Sequence, residues 1–311
     1  MNILSEINRM AKTDPVGLIG QAERRYDLDL AALAEKITAN EQKKIILLAG
    51  SSGSGKTTTA HILRDKLKTH GVFAEVVSLD HFYLPVDQMP RLANGDPDFE
   101  SVYSLDIPAI RRCFSEIIAS GKTDMPTFDF TRARRGEQPL SIDIGSHGLL
   151  IIEGLHALNP VLTGDLHEEN LFRLYISVNC PVVDDEGGVV LTSRQMRLIR
   201  RMSRDAIYRN TTAERTLKLW TSVVAGEEKY LYCFKGTADH KLITFHSFEP
   251  CVFRNIVTGL LENLPQSAEN YDYVMKTKSA LERFVPLDFE LVPESSLIRE
   301  FIKGGVYENQ K

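Results

Sequence analysis

The stretch LLAGSSGSGKTTTA, residues 47–60, carries the most pointed chemistry in the chain. Within it Gly50, Ser51, Ser52, Gly53, Ser54, Gly55, Lys56 and Thr57 fit the spacing G-x-x-x-x-G-K-[ST]. Glycines so placed let successive backbone N–H groups turn inward around an anion at a helix N-terminus. Lys56 is then positioned for the β and γ phosphates of a nucleoside triphosphate and the Thr57 hydroxyl for Mg2+, with Thr58 grouped among the nucleotide-binding residues. An apolar run before the loop and a helical pattern after it give the motif its proper context. The residues predict an ATP or GTP site.

Two further apolar runs end in a carboxylate: VVSLD closes on Asp80 and LLIIEG on Glu153. Where strands run parallel, their C-terminal ends open onto one crevice, the one that also receives the phosphate loop. Both acids are therefore expected to face the γ-phosphate. One carboxylate serves to orient Mg2+, for which Glu153 and Asp80 are both candidates. A second is needed only where a proton must be removed, as from a hydroxyl acceptor, and Asp80 is the better candidate base. His81 and His156 stand beside these acids and could line the same site. Later, TSRQMRLIRRMSRDAIYRN places Arg197, Arg200 or Arg201, and Arg204 at helical spacing, with Arg194 and Arg209 near the ends. Alone, such a stripe reads as a solvated face paired with acids. Behind a phosphate loop it reads as a lid whose arginines neutralise charge on the polyphosphate in the transition state.

A scaffold that brings these residues together is legible in the hydrophobic pattern. KKIILLA (43–49), FAEVVSLD (73–80), HGLLIIEG (147–154), LFRLYISV (171–178) and HKLITF (240–245) are short apolar runs, as expected of strands in a parallel sheet. Helical patterns separate them: one after the loop that stops at Gly71, one over 104–121 that stops at Gly121, and two over about 192–210 and 212–225. The alternation predicts an α/β fold of the P-loop NTPase type, three layers about a parallel sheet, with an arginine-rich helical lid. Residues 1–40 read as an N-terminal helical extension with Leu28, Ala31, Ala32 and Ala34 to Ile37 near one stripe. The phosphate-loop domain is expected over 41–265. A C-terminal helical extension over 266–311 ends in SSLIREFI, capped by Ser295 or Ser296.

Bulk properties narrow the classes. A chain of 311 residues buries a sizeable core, and a net charge of −5 argues against a general nucleic-acid or membrane-surface binder. Cys113, Cys180, Cys233 and Cys251 lie far apart with no CxxC spacing and read as thiols of a cytosolic protein. No apolar run approaches the roughly 18 residues that span a bilayer, and the N-terminus has no signal-type h-region. A cytoplasmic protein is expected, with a small-molecule hydroxyl acceptor as its partner, no nucleic acid and no membrane; a homo-oligomer stays open.

Taken in order, the motifs resemble those of the uridine kinase branch of the phosphoribulokinase/uridine kinase family. The phosphate loop is followed by SLDHFY, MPTFDFTRARR, IIEGLHAL, RRMSRDAIYRN and KGTADHKLI, over about residues 43–260. GLHALNP, TLKLWTSVVAGEEKYLY and SSLIREFIKGG look like the kinase domain that follows a TGS domain in longer bacterial proteins. No TGS-type domain fits in the first 40 residues, so the chain reads as the kinase unit alone. The resemblance implies a kinase that uses ATP (or GTP) and Mg2+. In it Asp80 is the base on a nucleoside 5′-hydroxyl, Glu153 a Mg2+-side carboxylate, and Arg201, Arg204 and Arg209 the lid and phosphate-facing arginines. Lys56, Arg201 and Arg204 join Asp80 as catalytic residues. Glu100 holds the sugar, with Asp96 or Asp98 in an alternative register, and Tyr83, Phe128 and Arg135 line the acceptor pocket.

The departures from the family pattern fall on the base-reading positions. Phe128, Ala133, Thr211 and Leu219 stand where the family carries Tyr, His, Arg and Gln. A pocket without polar readers discriminates weakly. Altered base specificity is therefore expected, with thymidine among the candidate acceptors. Two other readings compete: a kinase for a non-nucleoside alcohol such as a sugar phosphate or pantothenate-like molecule, and a non-catalytic nucleotide-binding regulator. Asp80 argues against the regulator, because a switch has no need of an acceptor base.

Overall fold

The computed structural model describes residues 2–130 and 132–308; Thr131, inside the MPTFDFTRARR motif, lies outside them. The five apolar runs form β1 (Ile45–Gly50), β2 (Ala74–Ser78), β3 (Leu149–Gly154), β4 (Leu171–Ser177) and β5 (His240–Ile243). They pair in parallel in the order β2-β3-β1-β4-β5. β1 and β3 are buried at every position, so their sequences are continuous apolar runs rather than alternating ones. Parity divides them between two cores, with Ile46 and Leu48 on one face and Ile45, Leu47 and Ala49 on the other. β1 lies between β3 and β4, and the order reverses there. This switch point is where a doubly wound sheet opens a crevice at its C-terminal ends.

Eight helices are needed to describe the site: α1 (Leu4–Thr13), α2 (Pro15–Thr38), α3 (Lys56–Thr69), α4 (Ile107–Ser120), α5 (Ser193–Arg209), α6 (Ala213–Tyr230), α7 (Glu249–Leu260) and α8 (Tyr271–Glu282). α4 covers one face of the sheet with Ile110, Cys113, Phe114 and Ile117, and the other seven share the core on the opposite face. The layers are those the alternating pattern predicts. Asp14 separates α1 from α2, its carboxylate accepting from the Gly17 N–H at 2.9 Å with Pro15 opening the new helix.

Four local expectations are corrected. The buried stripe of α2 is Tyr26, Leu30, Leu33, Ala34 and Ile37, whereas Leu28 is 68% exposed and Ala32 faces solvent. The i, i+3, i+4, i+7 series from Leu30 wins because it alone sets large side chains against Ala60, Leu63 and Leu67 of α3. β2 stops at Ser78, where the Ser78 hydroxyl accepts from the Asp80 N–H at 3.3 Å and turns the chain into a 3-10 turn, Leu79–Phe82. α6 runs to Tyr230, beyond the predicted end near 225. α7 and two short antiparallel pairs, Lys122–Met125 with Leu140–Asp143 and Phe128–Asp129 with Arg134–Arg135, add to the elements expected. Of the two serines in the last segment, Ser296 is the cap, its hydroxyl accepting from the Ile298 N–H at 3.1 Å. All four cysteines are free thiols. Among the described residues, no helix is long and apolar enough to cross a membrane.

Candidate active site

The phosphate loop joins the end of β1 to the start of α3. Gly53 and Gly55 take left-handed φ values of 76° and 87°, and a Cβ on Gly53 would stand 2.8 Å from the Arg197 carbonyl oxygen. Only glycine fits there. Gly55 is the N-cap of α3 and offers no side chain. The first N–H groups of the helix and its positive end are thus left for an anion, save the Thr58 N–H, which donates to Glu300 Oε2 at 3.3 Å. The Ser54 hydroxyl is buried and, among the described residues, has no hydrogen-bond partner, an orphan donor in the same loop.

Two buried ion pairs fasten the loop backbone to the helices around it. Arg197 Nε donates to the Ser52 carbonyl at 3.0 Å, and the Ser52 N–H donates to Glu227 Oε1 at 2.8 Å. Arg197 and Glu227 pair at 2.5 Å. Arg200, fully buried, pairs with Glu249 at 2.6 Å and donates to the Gly53 carbonyl at 3.1 Å. The arginine stripe of α5 therefore divides, and the reading of a solvated face does not hold. Arg197 and Arg200 shape the loop. Arg201, Arg204 and Arg209 gather on Asp205, at 3.3, 2.9 and 3.3 Å, while Arg201 also donates to the Ser52 hydroxyl at 2.8 Å. Asp205 is buried and holds three guanidinium groups next to the phosphate loop, a role sequence reasoning did not assign to it.

The carboxylates meet as the strand-end argument requires. Ser78 of β2 pairs in register with Glu153 of β3, so Asp80, two residues on, comes to the same end of the sheet. Thr57 Oγ1 donates to Glu153 Oε1 at 3.2 Å, and Lys56 Nζ rests on the Ser51 carbonyl at 3.3 Å. Burial pushes the Glu153 pKa up to about 7, with Lys56 opposing and Asp80 reinforcing the shift. Asp80 keeps an open path to solvent, yet the depth of protein around it also raises its pKa, against the pull of Lys56 and Arg209. Three oxygen-bearing side chains, Thr57, Glu153 and Asp80, form the hard donor set that Mg2+ takes. The residues present fit a magnesium–nucleotide complex.

Tyr83, close to Asp80, opens a cluster of different character. Tyr83 packs edge-on against Phe99, Phe128 and Phe130, with ring centroids 5.7, 5.7 and 6.4 Å away, so an aromatic wall adjoins the base. Phe130 is 61% exposed and Phe99 40%, leaving ring faces free. Of the three acids proposed for the sugar, only Glu100 sits between Asp80, Arg201 and Glu227, and burial pushes its pKa up to about 7. Asp96 is spent on Asn94 in an exposed turn, and Asp98 accepts from the Glu100 N–H at 3.1 Å. Gly226 of α6 makes room for Glu100, whose Cβ would lie 2.6 Å from a Cβ added there. Arg135 is occupied by an ion pair with Asp106, the N-cap of α4. Leu219 is 43% exposed. His156 is buried against the Tyr230 ring, with the Glu100 backbone near its imidazole. Burial lowers its pKa to about 4, the nearby Glu100 backbone opposing and Lys56 adding, so the imidazole is neutral at pH 7. His81 is held below its usual pKa by burial, against Asp80.

The two raised glutamates fix a pH dependence of folding. In the native state Glu100 and Glu153 keep a proton up to about pH 7, while the unfolded chain releases it near 4.5. Between those values the folded state binds more protons, so stability falls as pH rises from about 4.5 to 7 and is level above. The expected loss is on the order of 2 kcal/mol per group. Urea unfolding at roughly pH 5 and pH 7.5 measures it, and Glu153→Gln should remove its share of the slope. An unchanged slope in that variant would show that Glu153 is not held protonated.

Comparison with known proteins places the chain in a family. The model of the phosphoribulokinase / uridine kinase family matches residues 45–243, from β1 to the end of β5. A uridine kinase of Deinococcus deserti is 27% identical over 188 residues, 60% of this chain and 81% of that protein. A uridine kinase of Staphylococcus epidermidis is 23% identical over 199 residues, 64% of this chain and 86% of that protein. The solved structure of a possible uridine kinase from Bacillus stearothermophilus aligns with a TM-score of 0.48 at 17% identity, over 68% of this chain and 96% of that one. With its phosphate loop, paired strand-end carboxylates and gathered arginines, the chain belongs to the phosphoribulokinase/uridine kinase family and is a P-loop kinase.

Proposed function

We propose that the protein transfers the γ-phosphoryl group of ATP to the 5′-hydroxyl of a nucleoside whose base it reads weakly. The observation that carries this reading is the position of Asp80, with Lys56 and the phosphate loop on one side and Glu100 and the aromatic wall on the other. Thr57 and Glu153 would hold Mg2+, with Asp80 beside it, and the ion would supply charge neutralisation at the β and γ phosphates. Lys56 and the loop N–H groups hold the polyphosphate. Arg201, Arg204 and Arg209, preset by Asp205, meet the charge that spreads over the transferred group. Asp80 takes the proton of the acceptor hydroxyl as its oxygen bonds to the γ-phosphorus. The bond from that phosphorus to the β–γ bridging oxygen breaks, and the electron pair leaves with ADP. The raised pKa of Asp80 suits a base, since it strengthens proton affinity while solvent access keeps the group free to titrate. Glu100 anchors the ribose hydroxyls. Phe128 and its neighbours stack on the base without hydrogen-bonding its edge.

The test is kcat/KM for uridine, cytidine, thymidine and a non-nucleoside alcohol, measured with ATP and Mg2+ as ADP release. An apolar wall rejects isosteres by only about 10- to 200-fold. Pyrimidine nucleosides should therefore fall within that range of one another, with thymidine at least as good as uridine. Glu100→Ala should raise the acceptor KM roughly 10-fold and leave that of ATP alone. A preference for uridine or cytidine of more than about 10⁴-fold would mean that other residues read the base. Turnover of the alcohol alone would replace the nucleoside as acceptor.

A further inference from the structure

Glu300 lies at the N-terminus of α3, where a phosphate belongs. The Thr58 N–H is one of the four donors that a helix start leaves without intrahelical partners. Glu300 Oε2 takes it at 3.3 Å, and a carboxylate is favoured there by the helix dipole. The same turn closes the end of the loop, because Leu297 Cδ1 stands 2.8 Å from where a Cβ on Gly55 would lie. Glu300 is 9% exposed and Thr58 is 4% exposed, so the contact is shut off from water. Beside it, Thr58, Ser296, Arg299 and Glu300 line a cavity of about 10 Å³. That is room for about one water and none for a phosphate.

The turn is fixed from several sides. The Ser296 hydroxyl donates to Glu23 of α2 at 2.5 Å, the Ser203 hydroxyl of α5 donates to the Phe301 carbonyl at 2.7 Å, and the Tyr208 hydroxyl donates to the Ile302 carbonyl at 3.2 Å. Lys56 reaches the β and γ phosphates of a bound triphosphate, and the backbone N–H groups receive the α and β phosphates. The α-phosphate therefore falls to the N–H groups that follow Lys56 into the helix. Thr58 offers the one already taken.

We propose that Glu300 competes with the α-phosphate of the donor nucleotide for the Thr58 N–H, so that the chain's own last segment sets donor affinity. The proposal rests on the reading of the loop as a nucleotide site. Competition needs only the carboxylate to leave Thr58, while Ser203 and Tyr208 keep the segment in place. Inorganic pyrophosphate, which fills the β and γ positions alone, escapes it.

The experiment is calorimetric titration of the full chain and of Glu300→Ala and Glu300→Gln, each with ATP and with inorganic pyrophosphate, in Mg2+. Glu300→Ala should bind ATP roughly 10- to 100-fold more tightly than the wild type, because the phosphate no longer displaces a charged hydrogen-bond partner. Glu300→Gln keeps an acceptor for Thr58 and loses the charge, so it should gain part of that; if the alanine variant does not fold, this one decides. Pyrophosphate affinity should move less than about 3-fold, as it makes no α contact. ATP affinity unchanged or weakened in the folded variants would overturn the proposal while leaving the donor site intact. Equal tightening of ATP and pyrophosphate would also overturn it, since the carboxylate would then act on the whole loop. Binding of neither ligand by any of the three proteins would end both this proposal and the nucleotide reading.

Discussion

Lys56→Ala should reduce phosphoryl transfer about 10³-fold in kcat and weaken nucleotide binding at least about 10-fold. Lys56 is the cation that faces both Asp80 and Glu153, opposing the effect of burial on each. Its loss removes the charge that meets the β and γ phosphates. It also lets both carboxylates hold their protons to higher pH, so Mg2+ and proton abstraction suffer together. Direct titration with ATP separates the two effects, and rescue of kcat at raised pH would report the second. Undiminished affinity for ATP in the variant would remove the loop from the donor site.

Asp80→Asn should leave ATP affinity within a few-fold of the wild type and cost about 10²- to 10⁴-fold in kcat, the range of a general base. The wild-type rate should fall on the acid side, where Asp80 takes up a proton ahead of acceptor attack. Its raised pKa moves that limb upward from the ordinary range of an aspartate. The variant should lose the share of the limb that belongs to Asp80 and keep that of Glu153, which holds its proton up to about pH 7. A rate close to the wild type, with the acid limb intact, would place the base on another residue. His156 is then the next group to examine, being neutral and buried close to the same crevice.

The parts of the site that could be read in the sequence are those encoded by short-range pattern. The phosphate loop is one uninterrupted spacing, and Asp80 and Glu153 follow from a single rule about the ends of parallel strands. What escaped was carried by pairs distant in the chain. Ser52 and Glu227 meet from opposite ends of the kinase fold, as do Arg200 and Glu249, and Thr58 and Glu300. None leaves a local trace, because each acid is locally just a polar residue on a helix or turn. Asp205 is the instructive case. It lies at i+4 from Arg201 and i−4 from Arg209, a spacing that on an exposed helix means a weak surface pair. Burial turns it into the hub of the arginines. The α2 stripe failed for a related reason: leucine and alanine recur so often there that the face is decided by α3, not by α2 itself.

The docking of the final turn also bears on how the protein is made. Leu297, Phe301 and Ile302 bury against α2, α3 and α5, and Ser296 bonds Glu23, a residue 273 positions earlier. A chain leaving the ribosome presents the phosphate loop and α3 long before the segment that completes their packing. Closing so large a loop is slow, since contacts far apart in sequence form late. The growing polypeptide therefore carries an open apolar surface on α2 and α3 until residues 296–302 emerge, a surface open to misassociation over most of that interval.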